Sequence, residues 1–277
     1  MKKIIVTLAS IALAAGLSFA QDLATATETF NNAAAAIQAG DKAGALGYFK
    51  SALTMAEALG EEGTEIVANC KKHIPTLMLS IAKDAIKGGQ YESAVSQLKE
   101  VAQVADSYEA TNVAADATKL IPSVYLQQGN QALKAKDNQA AAEAFKAALE
   151  VDPTNANAAL RLGSALSSLG DADGAIAAFE TAAANGQETA ANKQISTIFL
   201  KAASASLKAK DYQGAIDNAT KSLSYNESAN AYKIAGTAYS ALGKKDNAIK
   251  NLSKYLELSP SAADAVQIKT AIENLKK

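Results

Sequence analysis

Cys70 and His73 are the single cysteine and the single histidine of the 277-residue chain, and they lie three positions apart. Such a pair could supply a thiolate nucleophile with its base, or two ligands of a metal ion. No second cysteine or histidine completes a metal site, and one histidine builds no meaningful Ser-His-Asp arrangement. A similar segment 47 residues later has Ala117 and Leu120 at these positions. We therefore interpret both side chains as packing residues and predict a protein that is not an enzyme and needs no cofactor or metal.

Two further motifs match known sequence patterns, one of a calcium-binding loop and one of a glycosylation site. Residues 171–174, Asp-Ala-Asp-Gly, resemble the start of a calcium loop, but the glycine comes too early and residues 175–178 have a helical sequence. Asn218, Asn226 and Asn251 each begin an Asn-x-Ser/Thr glycosylation sequon. In a chain this rich in asparagine and serine we interpret the sequons as chance matches, and we predict no calcium site.

The overall composition favours a helical protein and excludes several classes of function. A formal net charge of -1 and an isoelectric point near 6.0 leave no basic footprint for nucleic acid. The chain has only four prolines and is rich in alanine, leucine, lysine and glutamate, which favour helix. We predict an all-α protein that does not bind nucleic acid.

The first twenty residues have the three-part structure of a secretory signal peptide. Lys2 and Lys3 precede an apolar stretch at 4–17, and small residues precede a predicted cleavage site after Ala20. A membrane anchor is the alternative, but a span needs about 20 apolar residues. Gln21, where a lipid anchor would need cysteine, excludes that form of export signal. We predict a periplasmic or extracellular product with no membrane span after cleavage.

The rest of the chain is repetitive. Six copies of a short element place an alanine four residues before a second apolar residue, which is larger than alanine in five of them, and a small residue lies twelve positions before each of the first alanines. The six elements are Ala45-x3-Phe49, Ala94-x3-Leu98, Ala141-x3-Phe145, Ala175-x3-Phe179, Ala215-x3-Ala219 and Ala248-x3-Leu252, preceded by Ala33, Ala82, Gly129, Gly163, Ala203 and Gly236. The intervals between copies are 49, 47, 34, 40 and 33 residues. Periods of this size indicate stacked helical units in which the small residues allow close approach.

Each copy consists of two helical segments joined by a short turn. Turns such as 39–41 and 169–171 contain a glycine that can adopt the left-handed conformation at a helix end. An aspartate then follows and can cap the next helix, as Asp41, Asp137, Asp171 and Asp211 are placed to do. The first helices of the second and third copies extend upstream through Pro75 and Pro122, which either kink these helices or open them at their first turn.

These residues resemble the tetratricopeptide repeat family, whose pattern is W-x2-L-G-x2-Y, then A-x3-F, then P. The matching residues are Tyr232-x2-Ala235-Gly236-x2-Tyr239, Ala248-x3-Leu252 and Pro260, and again Tyr125-x2-Gln128-Gly129-x2-Ala132, Ala141-x3-Phe145 and Pro153. The resemblance implies a right-handed alpha-solenoid of about six helical-hairpin repeats with a C-terminal capping helix. We predict a signal peptide at 1–20, divergent repeats at 21–111, clearer repeats at 112–262 and the capping helix at 263–277.

The resemblance also implies a concave surface, lined by the first helix of each repeat, that holds a peptide or helix of another protein. The positions that match it here are Gln127, Asn130, Lys134, Asn157, Leu160, Arg161, Ser164, Ser168, Lys201, Ser204, Lys208, Lys233 and Thr237. Five of them are basic and none is acidic, which suits an acidic segment or a C-terminal carboxylate. The carboxylate clamp of some family members is mostly missing, because Leu126 and Thr197 replace two of its basic residues and Arg161 replaces an asparagine.

We therefore predict an exported interaction scaffold, or adaptor, whose groove binds a partner protein. Two other interpretations remain open. The lysine-rich face could be only a solvated surface, and the chain could be a self-associating structural protein of the cell envelope.

Overall fold

The structure, a computed structural model, describes residues 17–277, with side chains described from Asp22 onward. Over these residues it is all-α, with thirteen α-helices and no strand, as predicted. The helices are α1 (Leu17–Gln38), α2 (Lys42–Ala58), α3 (Thr64–Lys87), α4 (Tyr91–Ser107), α5 (Thr111–Lys134), α6 (Asn138–Val151), α7 (Ala156–Leu169), α8 (Ala172–Ala182), α9 (Glu188–Lys208), α10 (Tyr212–Tyr225), α11 (Ala229–Ala241), α12 (Lys245–Leu258) and α13 (Ala265–Leu275).

The predicted signal peptide lies outside the described residues except for its last four, which belong to the described part of α1. None of the helices in the described part of the chain combines the length and the apolar character that crossing a bilayer requires.

The helices pair as antiparallel hairpins in chain order. Direct packing joins α1 to α2, α3 to α4, α7 to α8, α9 to α10 and α11 to α12. A close contact between Gly129 and Phe145 joins α5 to α6. Successive hairpins also pack on one another, as α6 does on α7 and α10 on α11, and α13 packs on α12. The predicted arrangement of helical hairpins followed by one further helix is confirmed.

The chain forms two compact units that divide inside α5. The first ends at Gln128, and the second comprises Gly129–Lys277. The core of the first unit contains Phe30 and Phe49 together with Ile74 and Leu98, all of which are buried. Since the division falls within a helix, the domain boundaries that we expected from the sequence remain a prediction.

Two other backbone expectations can be compared with the structure. Pro75 lies inside α3 and Pro122 inside α5, each a helix of 24 residues, so neither proline opens its helix. The expected aspartate caps are also present. The Asp171 carboxylate accepts a hydrogen bond from the backbone N–H of Gly174 at 2.9 Å, and equivalent bonds are made by Asp41, Asp137 and Asp211. These caps fix where the second helix of four hairpins begins.

Candidate partner-binding surface

The predicted groove residues lie on the first helices of successive hairpins. Those of the second unit are on α5, α7, α9 and α11, at spacings of three or four residues that place them on one face of each helix. Gln127, the remaining member, is an exposed residue of the first unit. Within the second unit no hydrogen bond or ion pair joins groove residues of different helices in the described residues.

On α7 the predicted residues have two different roles. Arg161 is exposed, whereas Leu160 is half-buried and packs against the core around Phe179. The Ser164 hydroxyl donates to the carbonyl of Leu160 at 3.0 Å, and Ser168 donates in the same way to Ser164 at 3.0 Å. Because these hydroxyl protons are used inside the helix, the serines present mainly acceptor lone pairs outward. The guanidinium of Arg161 and the side-chain amide of exposed Asn157, whose Oδ1 accepts from Gln187 at 3.4 Å, are therefore the donor groups on this face of α7.

Positive charge on this surface is largely unpaired. Lys134 on α5, Arg161 on α7, and Lys201 and Lys208 on α9 are all exposed. Across the described residues none of these four is in an ion pair. Four unpaired positive charges on first helices can attract an acidic partner and raise its association rate.

Asn130 on α5 is a half-buried member of the predicted set. Its Oδ1 atom is buried and has no hydrogen-bond donor among the described residues. A buried acceptor without a donor costs free energy, and such groups are few in native proteins.

Lys233 on α11 differs from the other basic residues because it already holds a carboxylate. Its ammonium group forms an ion pair with Asp264, which lies just before α13 and also accepts a hydrogen bond from the Tyr255 hydroxyl. The Lys233 ammonium lies 5.5 Å from the centroid of the Tyr255 ring. Hydrogen bonds from Lys233 and Tyr255 lower the pKa of Asp264 below its usual range. The same contacts, led by the hydrogen bond to Asp264, raise the pKa values of Lys233 and Tyr255.

Asp264 was missing from the predicted set, which contained no acidic residue. The repeat period relates Asp264 to Asn230, 34 residues earlier in the first turn of α11, but Asn230 is not a predicted groove residue, so this relation does not point to Asp264. The predicted repeats end at residue 262, and the predicted groove set includes no residue of the capping helix at 263–277.

Cys70 and His73 lie in the core of the first unit, as predicted. Cys70 is fully buried, and burial, followed by the negative charge of Glu57, raises the pKa of its thiol to about 12. The half-buried His73 ring stacks on Phe49, with centroids 5.5 Å apart. Burial is the main cause that lowers the pKa of His73, with a contribution from the positive charge of Lys72. A thiol with so high a pKa is a poor nucleophile at neutral pH.

The repeated hairpin, with a small residue of one helix against a large residue of the next, defines a helical-repeat protein. The tetratricopeptide repeat family matches residues 126–190 and, again, residues 229–261. These two segments of the chain therefore contain tetratricopeptide repeats. Repeats of this kind form extended surfaces that bind other proteins, so the expected partners are proteins.

Several solved structures are similar to this chain at low identity. A crystal structure of MamA protein is 22% identical, with a TM-score of 0.41, over 57% of this chain and 84% of that chain. A crystal structure of YrrB, described as a TPR protein with an unusual peptide-binding site, is 17% identical, with a TM-score of 0.38, over 70% of this chain and 91% of that one. PilF of Pseudomonas aeruginosa is 12% identical, with a TM-score of 0.34, over 73% of this chain and 99% of that one. No curated protein matches the sequence.

Proposed function

We propose that this protein is an exported, non-enzymatic scaffold that binds an acidic peptide or helix of another protein along α5, α7, α9 and α11. The observation that carries the proposal is the set of exposed charges of Lys134, Arg161, Lys201 and Lys208 on these first helices, none of which forms an ion pair within the described residues. The exposed serine oxygens of α7 and the Thr237 side chain of α11 add polar contacts beside them.

Charge complementarity decides the class of partner. A row of positive groups on one side favours a ligand rich in aspartate or glutamate, because electrostatic matching steers the encounter and rejects basic ligands. The charges are exposed, so the attraction should weaken as salt shortens the Debye length from about 10 Å at 0.1 M to about 3 Å at 1 M. Strong dependence on salt is therefore an expected property of the complex.

The test uses fluorescently labelled acidic peptides and neutral counterparts in which Asp and Glu are replaced by Asn and Gln. Arg161, Lys201 and Lys208 are changed together to Gln, and the control changes Lys146, Lys245 and Lys250, which are exposed lysines of second helices, in the same way. Both triple variants lose three positive charges. We expect the first to lose affinity for the acidic peptides and the control to retain it. Equal affinities of the two variants, or equal binding of acidic and neutral peptides, would contradict the proposal.

Export is tested separately, because it depends on residues 1–20. We expect the product recovered from the periplasm or medium of a bacterial host to begin at Gln21, as measured by intact mass and N-terminal sequencing. Light scattering on the same material distinguishes the monomer expected of a peptide-binding scaffold from the oligomer expected of a self-associating envelope protein.

A further inference from the structure

Asp264 lies at a helix start but does not cap its helix. It is the N-cap residue of α13, and its side chain makes no hydrogen bond to the first turn of that helix. Asp171, at the equivalent place before α8, does make this bond. The Asp264 carboxylate is instead directed to Lys233 on α11 and Tyr255 on α12. The carboxylate of Asp264 therefore contacts the last repeat and does not cap α13.

The groups around this carboxylate form a small receptor. Lys233 supplies a positive charge to one oxygen, and the Tyr255 hydroxyl donates to the other. Tyr255 is 4% exposed, so packing of its ring fixes the direction of its hydroxyl. Hydrogen bonds of this kind, to an ionised acceptor, are among the strong ones. Two donors held by two different helices can receive any carboxylate that reaches them in the same geometry.

This receptor includes a residue of α11, the last helix that carries predicted groove residues. Lys233 belongs to the predicted groove residues, and it is the one basic member that is ion-paired within the described residues. An ion pair of the kind expected between the groove and an acidic partner is thus already present within the chain, and Asp264 supplies its carboxylate.

We infer that Lys233 and Tyr255 form a carboxylate-binding site, and that Asp264 occupies it in the free chain and competes with a carboxylate of the acidic partner. The inference rests on the proposed function. When a partner carboxylate enters, Asp264 leaves and can cap the first turn of α13, so the exchange gives Asp264 a new hydrogen-bond partner. The partner's apparent affinity is reduced by the fraction of chains in which Asp264 holds the site.

The experiment compares two variants that each remove one negative charge from the C-terminal region. Asp264→Asn weakens the internal occupant, whereas Glu273→Gln removes a carboxylate of α13 whose one ion pair within the described residues is with Lys276, just after that helix. We expect Asp264→Asn to bind the labelled acidic peptides roughly three- to tenfold more tightly than wild type and Glu273→Gln to bind them as wild type does. Adding Lys233→Met to Asp264→Asn should abolish the gain.

Several outcomes would overturn the inference. They are unchanged or weaker binding by Asp264→Asn, an equal gain with Glu273→Gln, and a gain that persists without Lys233. If wild type binds acidic peptides and loses them in the Arg161, Lys201 and Lys208 triple variant, the proposed function stands even when the inference fails. If neither wild type nor Asp264→Asn binds any acidic peptide, both fail.

A measurement on the unaltered chain guards against a variant that loosens α13. Hydrogen exchange is followed in the first turn of α13 with and without acidic peptide. We expect the peptide to slow exchange there, because the released Asp264 caps that turn. Unchanged or faster exchange at saturating peptide would contradict the displacement of Asp264.

Discussion

A methyl group added to Gly163 would lie 2.7 Å from the ring atom Cδ1 of Phe179, closer than real carbon contacts allow. Gly129 stands in the same relation to Phe145, at 2.5 Å from Cε1, and Gly236 to Leu252, at 2.7 Å from Cγ. The two helices of these hairpins therefore meet with a glycine against the large side chain sixteen residues later. Glycine weakens a helix by about 1 kcal/mol relative to alanine. These glycines therefore lower the stability of the first helix but allow the second helix to pack closer to it.

Gly163→Ala tests this relationship, because helix propensity and packing predict opposite signs. We expect overpacking against Phe179 to prevail and to lower the free energy of unfolding by about 1–3 kcal/mol. Urea denaturation measures the change. Gly47→Ala is the matched control, since Gly47 lies inside α2 with no atom within 4 Å of an added Cβ. It should stabilise the chain by up to about 1 kcal/mol, and stabilisation by Gly163→Ala as well would show that the helices can separate to accept the methyl group.

Ala175→Phe tests the repeat register on the opposite helix. Ala175 is fully buried in the core of the second unit, whereas Ala184 is exposed in the segment that follows α8. We expect Ala175→Phe to cost about 1–3 kcal/mol, because there is no space for the ring. Ala184→Phe should cost clearly less in the same denaturant titration. The reverse order would place the hairpin in a different register.

The turns between paired helices contain a feature that the sequence hides. In four hairpins a glycine has positive φ at this position, for example Gly170 at 86°, but in the other two a lysine does so, Lys136 at 60° and Lys210 at 61°. Left-handed conformations cost a residue with a side chain roughly 1–2 kcal/mol. We expect Lys210→Gly to stabilise the protein by up to about 1 kcal/mol and Gly170→Ala to destabilise it by a similar amount. Thermal unfolding of the two variants checks the signs, and a loss of stability in both would assign Lys210 a contact that outweighs its strain.

How well each feature can be predicted depends on how far apart along the sequence its interacting residues lie. The hairpins, the aspartate caps and the burial of Cys70 come from patterns within one repeat, and the sequence displays them directly. Lys210 escaped prediction because glycine is the usual residue at a left-handed helix end, and only the hairpin's overall geometry imposes that conformation on a lysine. Asp264 escaped because its partner Lys233 is 31 residues away and on another helix. The predicted groove residues are the hardest case, since helical spacing places them on one face but does not show which of them contacts a partner.

His73 should make stability depend on pH in the first unit. The folded chain lowers its pKa, so the unfolded chain binds the proton more readily. Stability should therefore be full above the ordinary pKa near 6.5 and should be lost as the pH falls through that value towards the lower folded pKa. His73→Leu, which copies Leu120 in the next hairpin, cannot titrate. Urea denaturation between about pH 8 and pH 5 should show wild type losing more stability than the variant, and parallel curves would remove His73 as the cause.

Arg161→Lys isolates the contribution of one groove residue without changing the charge. Arg161 is the single arginine among 27 basic residues and is exposed on α7 without an ion pair in the described part of the chain. Arginine offers a planar fork that holds a carboxylate in two parallel hydrogen bonds, whereas lysine acts as a point charge. We expect the substitution to weaken the binding of acidic peptides by about 1–2 kcal/mol, roughly five- to thirtyfold, at unchanged melting temperature. Lys276→Ala, which removes an exposed charge just after the end of α13, should leave binding unaltered. Equal binding by all three proteins would remove Arg161 from the site, and a larger loss from Lys276→Ala would move the interface to the C-terminal helix.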